Sequence, residues 1–128
     1  MNFKGVLLRF DCKNNRQFDD IGKFWDFMSS IYPKEKLKGL GFNWFNNSFD
    51  YVIGDITKKY NYKHNIIKQR YPNSRLTTIE LPDDGWTTYT GKIKNLTQIY
   101  KDIYQNGVLK YEIEEFDEKG NCKISIIR

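Results

Sequence analysis

The chain of 128 residues contains one histidine, two cysteines and three prolines, and each scarcity removes a class of function. His64 stands among lysines and asparagines while Cys12 and Cys122 lie far apart, so no spacing matches a zinc or transition-metal site and no cofactor is implied. A histidine-based catalytic triad would have to use His64, which reads as a solvated loop residue. Gly39-Leu40-Gly41 lacks the third glycine and the strand-to-helix setting of a dinucleotide-binding turn. No apolar run approaches the length needed to cross a bilayer, and Val6-Leu7-Leu8 is cut short by Arg9 before it resembles a secretory leader. A cytoplasmic protein with two reduced thiols is therefore expected.

What the chain does have is aromatic side chains, 16% of residues in a sequence that carries 29% charged ones. Rings supply large contact areas to cores and to ligand pockets alike, so some are expected in each. The formal net charge is +5, but the lysines run from Lys4 to Lys123 interleaved with Asp and Glu. The densest cluster is Lys34, Lys36 and Lys38. A solvated basic surface accounts for this better than direct nucleic-acid binding, and no membrane partner is indicated.

Periodicity predicts one domain built from two similar halves, about 1–56 and 76–128, joined by a connection over 57–75. In the first half a strand from Phe3 to Phe10 precedes a helix capped by Asp19-Asp20 and carrying Ile21, Phe24, Trp25, Met28, Ile31 and Tyr32, closed by Pro33. Gly39 and Gly41 read as breaks before a strand from Phe42 to Phe45, and Asn46-Asn47-Ser48 turns into Phe49 to Ile56. The connection is polar, with room for a short helical turn. The second half has a strand from Leu76 to Leu81, a turn at Pro82-Asp83-Asp84-Gly85, a strand from Trp86 to Ile93, and a helix capped by Asn95 with Gln98 in capping-box position. Tyr111 to Phe116 and Cys122 to Ile127 form a closing hairpin. Strand, helix, strand, strand thus occurs twice. An α+β fold is expected, with antiparallel sheet, two helices packed on one face and a groove between the pseudo-symmetric units.

Carboxylates carry what chemistry the sequence offers. Glu80, Glu112 and Glu114 fall on predicted strands, where burial could raise a carboxyl pKa, although alternating glutamates often mark a solvent face. Alternation places Tyr111, Ile113 and Glu115 on one side and Glu112, Glu114 and Phe116 on the other. Ile113 is expected toward the helices, leaving Glu114 and Phe116 facing either solvent or a cleft. Trp86 and Tyr89 point to opposite sides of their strand, so either could belong to the core but not both. Trp44 flanks a turn, whereas Tyr51 shares a face with Phe49 and Ile53, and Trp25 lies on the apolar stripe of the first helix.

Taken in order, Phe49-Asp50-Tyr51-Val52-Ile53-Gly54, then Ile79-Glu80-Leu81-Pro82 to Trp86-Thr87-Thr88-Tyr89, then Glu114-Glu115-Phe116-Asp117 with Cys122-Lys123-Ile124-Ser125-Ile126-Ile127, resemble the GyrI-like small-molecule-binding domains over nearly the whole chain. That family includes effector-binding domains of AraC-type and MerR-type regulators and the gyrase inhibitory protein. The resemblance implies a groove for hydrophobic, often aromatic or cationic compounds, with Glu114, two positions before Phe116, facing it. Trp44, Tyr51, Trp86, Tyr89 and Phe116 are the aromatic candidates around that carboxylate. Departures from the family pattern occur at Tyr104-Gln105-Asn106-Gly107-Val108 and at the glycine following Pro82, and both would reshape the groove. With strands starting near Met1 and ending near Arg128, a stand-alone binding module without a DNA-reading domain is expected, as a monomer or homodimer. Two alternatives come with the resemblance. One is a hydrolase opening strained rings of DNA-alkylating toxins with Glu114 or Glu80 and a tyrosine such as Tyr89 or Tyr111; the other is a protein-binding inhibitor of gyrase or another partner.

Overall fold

The computed structural model describes residues 1–56 and 62–128. Within these residues seven strands and three α-helices follow one another as β1 (Asn2–Asp11), α1 (Arg16–Ile31), β2 (Lys38–Phe45), β3 (Ser48–Asp55), α2 (His64–Arg70), β4 (Arg75–Glu80), β5 (Thr87–Lys92), α3 (Leu96–Tyr104), β6 (Tyr111–Phe116) and β7 (Asn121–Ile127). The strands form a single sheet in the order β4-β1-β3-β2-β6-β7-β5, and every neighbouring pair is antiparallel. The fold is α+β, as the residue pattern implied.

Within that order, β1-β3-β2 and β6-β7-β5 are mirror images in sequence logic: each is a strand, a helix and a hairpin, and they meet where β2 pairs with β6. β4 belongs to neither unit. The sequence places it at the head of the second half, yet it hydrogen-bonds to β1 at the far edge of the sheet, from Asn2↔Glu80 to Leu7↔Arg75. Six inter-strand gaps of about 4.8 Å separate β4 from β5 in a flat sheet, about 29 Å. The seven backbone steps from Glu80 to Thr87 reach at most about 25 Å. The sheet must therefore curl, and Leu81 and Trp86 pack together on its far side with Phe3, Leu7, Leu40, Val52 and Ile113.

The opposite face carries the helices. Val6, Leu8 and Phe10 of β1 and Phe49, Tyr51 and Ile53 of β3 pack against Phe24, Trp25 and Met28 of α1, with Ile67 of α2 beside them. Ile124 and Ile126 of β7 pack with Ile103 of α3 and Leu109. Ile113 therefore points away from the helices, reversing the expected sense of β6: Glu112, Glu114 and Phe116 face toward them. The alternation holds and its polarity is the reverse of the expected one, because the Leu81–Trp86 crossing gives the far face an apolar cover of its own.

Local boundaries moved for identifiable reasons. Helix α1 begins about a turn before Asp19, after a 3-10 turn at Lys13–Asn15, with Asn15 left-handed at its N-cap and no side-chain cap. Asp19 lies in the first turn, where its charge complements the helix dipole. Asn95 precedes α3 without a side-chain cap, and Gln98 bonds Asp102 at 2.9 Å instead of completing a capping box. Strand β2 runs straight through Gly39 and Gly41, which are part of it and do not interrupt it. Of the polar connection over 57–75, residues 57–61 lie outside the described residues, and α2 forms within the remainder.

Candidate ligand-binding site

Helix α1 packs on β1 and β3 and helix α3 on the β7 side, and the two helices flank the seam where β2 pairs with β6. A hollow of about 800 Å³ opens there. Its floor is the pair of strands β2 and β6, in register Gly39↔Glu114 and Gly41↔Glu112. Glycine is required on this floor: a Cβ on Gly39 would fall on the Tyr51 hydroxyl, 2.7 Å from Cζ of that ring and 3.2 Å from Cζ2 of Trp25. The walls are Phe18, Ile21 and Trp25 from α1, Trp44 and Phe49 from the β2–β3 hairpin, and Tyr100 and Tyr104 from α3. Trp44 stacks on Phe49 with ring centroids 5.7 Å apart and an 18° interplanar angle.

Two carboxylates project into this aromatic hollow. Glu114 accepts hydrogen bonds from the hydroxyls of Tyr51, at 2.7 Å, and Tyr100. The Tyr51 hydroxyl in turn accepts from Trp25 Nε1 at 2.8 Å, so the indole, the phenol and the acid form one chain. Glu112 is 4% exposed and accepts from the Tyr104 hydroxyl at 2.8 Å. Burial is the main cause that pushes the Glu112 carboxyl up to about 8, and the neighbouring Glu114 adds to it. Burial also raises Glu114, while the Tyr100 and Tyr51 hydroxyls pull it back. The phenols respond to the same acids: Tyr51 and Tyr100 are raised well above the usual tyrosine range, by burial first and by Glu114 second. A buried acid without a cation favours its neutral form, and phenol donors offset only part of that.

Glu115, the residue after Glu114 on β6, has a different role. It turns to the far face and meets Lys38 at 3.7 Å and Lys123 at 3.8 Å, an ordinary ion-pair cluster. Neither Glu112 nor Glu114 is paired with a lysine or arginine among the described residues.

Of the residues singled out from the sequence, Glu114, Trp44, Tyr51 and Phe116 line the hollow. Trp86 does not: it lies on the far face beside Tyr111, ring centroids 6.3 Å apart, and donates to the Pro82 carbonyl at 2.9 Å. Tyr89 is on the helix side but packs into the α3 core with Ile124, outside the lining. Glu80 is exposed on the edge strand β4, and Tyr111 faces away, so neither reaches the hollow. The sequence names Glu112 as a strand carboxylate but not as a groove residue, and it gives no groove role to Tyr100, Tyr104 and Phe18; Trp25, expected in the core, both packs there and lines the cavity. Tyr100 and Tyr104 were legible as an i, i+4 pair on one helix face, and Glu112 shares alternation with Glu114.

No family model matches the chain, and no curated protein matches it. Among solved structures, SAV2435 bound to tetraphenylphosphonium is similar at a TM-score of 0.61 with 10% identity, over 98% of this chain and 87% of that one. A protein from Staphylococcus aureus MU50, provisionally assigned to bacterial transcription regulation, is similar at 0.58 with 14% identity, over 98% and 90%. At these identities the likeness is one of fold. No helix among the described residues is long and apolar enough to cross a membrane.

Proposed function

We propose that this protein is a small-molecule-binding module of the GyrI-like kind, and that it takes a lipophilic organic cation into the hollow over the β2–β6 seam. One observation carries the reading: carboxylates without a counter-ion among the described residues face an aromatic cavity large enough for a drug-sized compound. A cation entering there supplies the missing charge, and its apolar groups meet ring faces that attract positive charge. Glu114 is the charge partner, Tyr51 holds it in place, and Trp44 and Phe116 are contact surfaces. Trp86 and Tyr89 have no part. The similarly folded SAV2435, seen bound to a tetraphenyl cation, supports this choice of compound class.

The test is a titration with tetraphenylphosphonium, followed by tryptophan emission and by calorimetry. Trp25 and Trp44 line the cavity, so binding quenches emission. Glu114→Gln keeps the shape and removes the charge. It is expected to weaken binding at least tenfold, about 1.4 kcal/mol, a modest share of a charge pair at low effective dielectric. Equal affinity for the variant and the parent protein would overturn the role of the acid, and absence of binding at millimolar ligand would overturn the proposal.

A further inference from the structure

The hollow contains two acids where recognition of a single positive charge requires one, and they are built as a repeat. Glu112 and Glu114 lie two residues apart on β6, about 6.7 Å of strand. Tyr104 and Tyr100, one turn apart on α3, hold one carboxylate each, and their rings stack with centroids 5.9 Å apart. Two tyrosine–glutamate pairs thus stand side by side across one cavity with a spacing of about 6–7 Å.

Among the described residues no cation is paired with either acid. Strand β3 presents the Tyr51 hydroxyl, α3 presents Tyr100, Tyr104 and Lys101, the segment before α1 presents Cys12, and α1 presents uncharged Gln17 and Trp25. Burial raises the Cys122 thiol of β7, and Glu114 is close enough to add to it. Lys34 sits 5.8 Å from the Phe116 ring centroid, outside the lining. Among the described residues of the lining Lys101 alone is cationic, and it is exposed.

From this geometry we infer that the cavity is a two-charge site, selective for flat aromatic compounds with two fixed cationic centres about one side-chain repeat of a strand apart, and that Glu112 sets that selectivity. The inference rests on the binding reading above. A monocation neutralises one carboxylate and leaves the other to remain protonated beside it. A dication allows both to ionise, each already aligned by its own phenol. Without a second positive charge, two ionised carboxylates at this spacing repel each other.

The discriminating pair is methyl viologen, a flat bipyridinium dication, and N-methyl-phenylpyridinium, which has the same outline with one charge. Both charges are permanent, so any pH dependence comes from the protein. The monocation is the more lipophilic of the two, so a preference for the dication cannot arise from apolar burial. At about pH 8 the dication is expected to bind at least tenfold more tightly than the monocation, and the ratio is expected to shrink toward one near pH 6 as Glu112 takes up its proton. In Glu112→Gln the ratio collapses to about one at both pH values. Should that variant not fold, Tyr104→Phe removes only the phenol donor to Glu112 and is expected to move the pH at which the ratio opens upward. Equal or tighter binding of the monocation by the parent protein, or a ratio that survives Glu112→Gln, would overturn the two-charge site while leaving single-cation binding intact. Failure of methyl viologen, its analogue and tetraphenylphosphonium to bind at all would overturn both readings.

Discussion

Glu112→Gln is expected to make the protein more stable in mildly alkaline solution while costing little in acid. The carboxyl titrates near the ordinary value of 4.5 when unfolded and at about 8 when folded. A group whose folded pKa is raised stabilises the native state fully below the unfolded value, and that contribution disappears as pH climbs through the folded value. At about 1.36 kcal/mol for each tenfold change in proton affinity, the full interval corresponds to roughly 5 kcal/mol. Glu114 competes for protons in the same cavity, so the loss between about pH 5 and pH 8 is expected at about 2–5 kcal/mol. That is a large share of the stability of a domain this size.

Glu114 shares this window, and the other shifted groups act outside it. Tyr51, Tyr100 and Tyr104 are raised above 10, and the thiols of Cys12 and Cys122 above 9, so they act only at higher pH. Asp117 is lowered by the Asn121 backbone and side chain in its turn, and its effect belongs to acid solution below about pH 4. Urea midpoints measured at half-unit steps from pH 5 to pH 8.5 should fall steadily for the parent protein and much less for Glu112→Gln, with the m-value unchanged. Parallel curves for the two proteins would mean that Glu112 is ionised or solvated in the native state, and the electrostatic account of the cavity would fail.

Gly39→Ala is expected to cost about 2–4 kcal/mol, because the new methyl displaces the Tyr51 ring and with it the link from Trp25 to Glu114. In a double-mutant cycle by chemical denaturation, Tyr51→Phe should then cost at least about 0.5 kcal/mol less in the alanine background than alone, and strict additivity would refute the clash. Trp44→Phe should remove much of the emission change on tetraphenylphosphonium binding, whereas Trp86→Phe, on the far face, should leave both quenching and affinity as they were. The Cys122 thiol, buried and raised, should react with an uncharged thiol reagent more slowly than Cys12, which is partly exposed; comparable rates would contradict the packing of β7.

Elements with strong periodicity were legible. The apolar stripe of α1, the closing hairpin of β6 and β7 and the repeated strand-helix-strand-strand order follow from local patterns that the tertiary structure does not override. β4 was legible as a strand but not as a partner of β1, because strand pairing across some 75 residues leaves no mark in a single sequence. Glu112 shows the limit most clearly. Alternation put it with Glu114 and Phe116, but which face a strand turns to the helices depends on what covers the other face. Here that cover is Leu81 and Trp86, from a turn whose destination no local signal encodes.

Gly39 and Gly41 connect these points. Read along the chain they look like interruptions, since glycine weakens a strand and gives it nothing to pack. Read across the sheet they lie opposite Glu114 and Glu112. An apolar side chain at either position would fill the seam and bury the acids under carbon, and a polar one would satisfy them from within the chain. With hydrogen atoms there instead, Tyr51 lies flat against the strand and the carboxylates open onto free volume, as the proposed binding of an external cation requires. A strand weakened in its own interior, with two acids opposite, is a costly arrangement for a structural core and an economical one for a receptor.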